Sequence, residues 1–96
     1  MTPREFDVSL NHDHPPEGLS PALEALWWAG RDDWQQAHRC IMDDDASDSA
    51  WVHAYLHRQE NDIENATFWY NQAHRPIPAL EPNEEWQEIV EQLLAR

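Results

Sequence analysis

Apolar and small residues recur every three to four positions in five stretches of this 96-residue chain, and a cap or turn signal bounds each stretch. Ser20 can cap the first and Pro21 suits its opening position; Leu23, Leu26, Trp27 and Gly30 follow at helical spacing. Gly30 ends that helix in a GRDD turn. Asp32 and Asp33 then stand where a helix N-terminus favours negative charge, and Trp34, Ala37 and Ile41 share one face of a second helix. The segment DDDASDS reads as a loop in which Asp48 or Ser49 caps a third helix running to about Glu60. A fourth helix carries Ala66, Trp69, Tyr70 and Ala73, with Asn61 as cap and Glu64 reaching back. Pro76, Pro78 and Pro82 break it. Asn83 then caps a fifth helix whose stripe is Trp86, Ile89, Val90, Leu93 and Leu94, with Glu84, Glu85, Glu88 and Glu91 on the remaining surface.

These elements predict an all-α fold of about five short helices. Residues 1–18 mix charge, His and Pro without a sustained apolar period, which predicts an extended arm. Residues 19–96 form one helical domain: a hairpin over 20–43, a second over 49–74, a Pro-rich connector over 75–82 and a C-terminal amphipathic helix over 83–95. Ninety-six residues suffice for a single core, to which ten aromatic side chains contribute large buried areas.

The two hairpins repeat one another. An offset of 29 residues pairs Leu26 with Tyr55, Trp34 with Ile63 and Ala37 with Ala66, and lays GRDDW over QENDI. The small side chain in each second helix lets two helices approach closely. With Trp51, Tyr55, Ala66, Tyr70 and Ala73 in the second copy and Pro76 after it, the pattern resembles the tetratricopeptide repeat. That resemblance implies a stack of helical hairpins that binds a protein or peptide. The chain is also similar to small bacterial proteins carrying a WVHAYLHR run followed by a YWY-like cluster, which implies a family and no activity.

Charge narrows the partners. Nineteen Asp and Glu face six Arg and no Lys, a formal net charge of −13. The Arg residues are scattered singly, so neither a nucleic-acid backbone nor an anionic membrane surface is expected to bind. A basic protein or peptide suits the acidic surface, and self-association is a further expectation. One cysteine, Cys40, fits a reducing compartment. With no apolar run long enough for a membrane span and no signal-peptide pattern, the expected location is the cytoplasm.

Candidate chemistry is sparse. His53 and His57 stand four apart with Glu60 on the same stripe, the residue types and face that a zinc or other divalent-metal site uses, although Ala54 occupies the position where a zincin carries Glu. His12, Asp13 and His14 lie on the expected arm, where nothing would fix them as ligands. His38 and Cys40 point in different directions on their helix, which argues against a nucleophilic pair. Asp43, Asp44, Asp45 and Asp48 lack the Gly and Glu of a calcium loop. No catalytic residue stands out and no cofactor is expected. The leading expectation is a non-catalytic protein- or peptide-binding module using Trp28, Trp51, Tyr55 and Phe68; the alternative is a metal-binding protein using His53, His57 and Glu60.

Overall fold

A computed structural model describes Met1–Arg96 as six helices and no strand: α1 (Pro3–Ser9), α2 (Pro21–Gly30), α3 (Trp34–Ile41), α4 (Ser47–Gln59), α5 (Ile63–Gln72) and α6 (Pro82–Leu94). The sixth element corrects the expectation of an extended arm. Thr2 Oγ1 accepts from the Glu5 N–H at 3.1 Å, the Glu5 carboxylate accepts from the Thr2 N–H at 2.9 Å, and Pro3 opens the helix. This is a capping box with Pro at the first position, enough to start a seven-residue helix. Phe6 and Ser9 on it are buried. Ser9 Oγ accepts from the Trp27 indole N–H at 3.1 Å, and α1 packs on α6.

The two inter-helix turns match closely. Asp32 and Asn61 take left-handed φ angles of 61° and 62°. The next N–H in each turn, of Asp33 and Asp62, donates back to Trp28 O at 3.0 Å and His57 O at 2.8 Å. Asp33 and Asp62 then cap α3 and α5 by accepting from the Gln36 and Asn65 N–H groups. The α5 cap is therefore Asp62, one residue later than expected: Asn61 ends α4 instead, since Asn tolerates the left-handed region. Similarly, α6 starts behind Glu81 and Pro82 rather than at Asn83, and α4 starts at Ser47 behind Ala46.

Helix α4 lies at the centre, packed on α2, α3, α5 and α6. Every residue from Ser49 to Leu56 is buried as a result. Helix α6 closes the structure: the Trp86 indole N–H donates to Leu26 O at 2.8 Å, and its ring lies 5.9 Å from that of Phe6. Gly30 makes this approach possible, because a Cβ there would stand 3.0 Å from Trp86 and 3.1 Å from Leu10.

Glu85 corrects another expectation. Placed by charge on the outer surface of α6, it is 1% exposed. One carboxylate oxygen accepts from Arg58 at 2.9 Å and the other from the Tyr70 hydroxyl at 2.5 Å, while Arg58 also donates to the Leu80 carbonyl. The buried charge is matched and each of its oxygens has a donor, which is what burial of a carboxylate requires.

Candidate functional site

A groove runs where the C-terminal ends of α2 and α4 meet the start of α6. It consists of two clefts of about 390 and 470 Å³ that share Ala29, Asp32 and Gln59. Ala29, Gly30 and Trp86 contribute apolar surface at one end, and Trp34 does so at the other. Gly30 lets Trp86 and Leu10 close against the end of α2, and these residues form the floor of this cleft.

Polar groups line the groove with few internal commitments. Tyr55 is 3% exposed, yet its hydroxyl bonds to no group of the protein and is the part of the side chain left to reach the groove. Burial, followed by the Glu85 and Asp32 carboxylates, raises its pKa well above the usual phenol value, so it stays an O–H donor. Gln59, Asn83 and Gln87 stand beside it, and Gln35 stands farther along; all four carboxamides are exposed. The carboxylates of Asp32 and Glu60 supply the only formal charges along these walls, both negative.

Beyond Glu60 lies a cluster of imidazoles. His53 and His57 come from successive turns of α4, and α3 brings His38 to them. The Nε2 atoms of His38 and His53 face each other at 2.9 Å, so one donates and the other accepts. His57 Nδ1 pairs with Glu60 Oε1 at 2.9 Å. Two indoles hold the rings. Trp34 stacks on His38 at 5.0 Å and is itself fixed by donation to Leu56 O at 2.8 Å, and Trp69 stacks on His53 at 4.0 Å. Burial, then the neighbouring His38 and His57, push the pKa of His53 down to about 4; burial, then His57, lower that of His38. Both are neutral at pH 7. His53 Nδ1 is buried and has no partner.

The expected site residues are thus divided. His53, His57 and Glu60 do lie together, but Glu60 serves as a partner of His57 while His38 supplies the third nearby imidazole. Sequence reasoning set His38 aside, although it stands four residues after Trp34 on the inward stripe of α3, a position where a polar residue needs a reason. Trp51 is 4% exposed beneath the Arg75 guanidinium, 3.7 Å from its ring centre; it is a core residue, not a surface anchor. The ring of Tyr55 is likewise core, and only its hydroxyl is available. Trp28 is half-buried with its indole N–H shielded from solvent. Phe68 is 51% exposed, beside Met42 and the Asp43–Asp45 run and away from the groove. Cys40 is half-buried, and burial followed by Glu24 pushes its thiol up to about 11, an unreactive state. No protein-family model, curated protein or solved structure matches the chain.

Proposed function

We propose that this chain is a non-catalytic helical module that binds an extended peptide segment bearing Lys or Arg in the groove over Ala29, Gly30 and Trp86. The Tyr55 hydroxyl carries this reading: it is a donor fixed in direction by a buried ring and left without a protein acceptor, and a peptide carbonyl would complete it. Gln59, Asn83 and Gln87 offer the paired donors and acceptors that an extended backbone uses. Asp32 and Glu60 favour a cationic side chain, and the net charge of −13 would speed its arrival. A second copy of the chain is a poorer occupant, because it carries the same negative charge and four of its six Arg residues are held internally. The two matched helix pairs support the tetratricopeptide-like reading of the fold.

Fluorescence anisotropy with labelled Gly–Ser decapeptides carrying two Arg, two Lys or two Glu residues tests the proposal. Micromolar binding of the Arg and Lys peptides alone is expected. Asp32→Asn should weaken it about tenfold or more and Tyr55→Phe by roughly three- to tenfold, from loss of a charged and a neutral hydrogen bond respectively. Asn suits the φ of 61° at that turn, as Asn61 does in the second pair. Equal binding of the Glu peptide, or none of any, would reject the assignment.

A further inference from the structure

The cluster of three imidazoles adjoins the peptide groove at Trp34 and Glu60 and leads to a different ligand. We propose that His38, His53 and His57 form a binding site for one divalent transition-metal ion of the zinc class, with Glu60 orienting His57 from behind.

The donor set comes first. Each ring places a nitrogen within 4.8 Å of the other two. Two His from successive turns of α4 supply two ligands, and α3 supplies the third from across the helix pair. Imidazole nitrogens suit zinc, cobalt and nickel, whereas magnesium and calcium need oxygen. Three neutral ligands leave a fourth tetrahedral position for water or a small anion.

The cluster also fails as ordinary packing. A buried histidine with a structural role pairs with a backbone or carboxylate group; the one hydrogen bond of His53 goes instead to His38. That bond points one imidazole nitrogen directly at another, an arrangement held together only by a shared proton. Three adjacent imidazoles would repel one another if charged, and an ion between them would take up the lone pairs that converge there.

The rearrangement required is small and local. Zinc–nitrogen bonds of about 2.0–2.1 Å at a tetrahedral angle hold two ligand nitrogens roughly 3.3 Å apart, so replacing the proton between His38 and His53 by an ion opens their 2.9 Å contact slightly. The His53 and His57 rings are parallel to within 8°, so one must turn for their lone pairs to converge. Trp69 clamps His53. His57, at the edge of the cluster, is the ring free to turn, pivoting on the Nδ1–Glu60 hydrogen bond and presenting Nε2. A carboxylate behind a ligating imidazole is the usual way such a ring is oriented and made more basic.

Titration of the metal-free protein with Co²⁺, followed by visible absorption, tests the site, with the melting temperature of each metal-free variant measured alongside. One ion per chain at micromolar affinity is expected, displaced by Zn²⁺. His38→Gln and His57→Gln should each weaken binding more than tenfold, and Glu60→Gln about tenfold. Tyr55→Phe should leave metal affinity unchanged, which separates this site from the peptide groove. Should a His variant fail to fold, imidazole ¹⁵N shifts of the wild type decide: Zn²⁺ must move His38, His53 and His57 and leave His74 in place. Absence of binding, affinity that survives His38→Gln, or affinity lost when His12 and His14 are replaced would overturn the proposal.

Discussion

Tyr70 and Tyr55 are both buried, at 1% and 3% exposure, and the Glu85 carboxylate influences both. Their hydroxyls differ. That of Tyr70 donates to Glu85 within a network completed by Arg58, and every strong polar group there has a partner. That of Tyr55 ends at the groove with nothing from the protein to receive it. Burial of the ring says little about role; the fate of its one polar atom says more. A closed network ties α4, α5 and α6 together, whereas an open one leaves chemistry available to a ligand.

The contrast can be tested by removing groups from each side. Glu85→Ala should have the largest effect, about 3 kcal/mol or more of lost stability in urea unfolding, because Arg58 and the Tyr70 hydroxyl both lose their buried acceptor. Tyr70→Phe should cost about 2 kcal/mol by the same measurement, the worth of a hydrogen bond to a charged group. Acid comes next. His53 is held neutral with a folded-state pKa of about 4, below an unfolded value of about 6.5, so the unfolded chain binds its proton first. Its contribution is therefore complete above pH 6.5 and lost as the pH falls towards 4. By pH 5 the loss should reach about 1–2 kcal/mol, and His53→Gln should flatten that part of a melting-temperature profile. Tyr55→Phe should change stability by less than about 0.5 kcal/mol, since no internal partner is orphaned. A large loss there would show the hydroxyl to be structural and dissolve the contrast.

Helix periods and turn chemistry made most of the architecture legible, and the 29-residue offset announced two turns that the structure repeats nearly bond for bond. Short-range signals were sufficient where the physics is short-range. Helix α1 was missed because its apolar residues are few and His and Pro follow it, although Thr2, Pro3 and Glu5 spell a capping box. Glu85 and His38 were missed for another reason. Each stands at helical spacing from inward residues, Glu85 four before Ile89 and His38 four after Trp34, but what makes burial tolerable comes from other elements: Arg58 and Tyr70 for one, His53 and Trp34 for the other. Periodicity reports the face a residue occupies; it cannot report which distant partner waits there. The same limit separated Tyr55 from Trp51, equal in sequence pattern and distinguished only by where their polar ends lead.

The bond from the Trp86 indole to Leu26 O joins residues 60 apart, while the two helix pairs close over turns of three residues. The pairs can thus assemble quickly from local contacts, whereas docking α6 must bring together distant parts of the chain and belongs to the slow end of folding. Trp86 is then a built-in clock hand: shortening it should speed unfolding more than it slows folding, because its contact forms as the floor of the groove is laid and the binding surface comes into being.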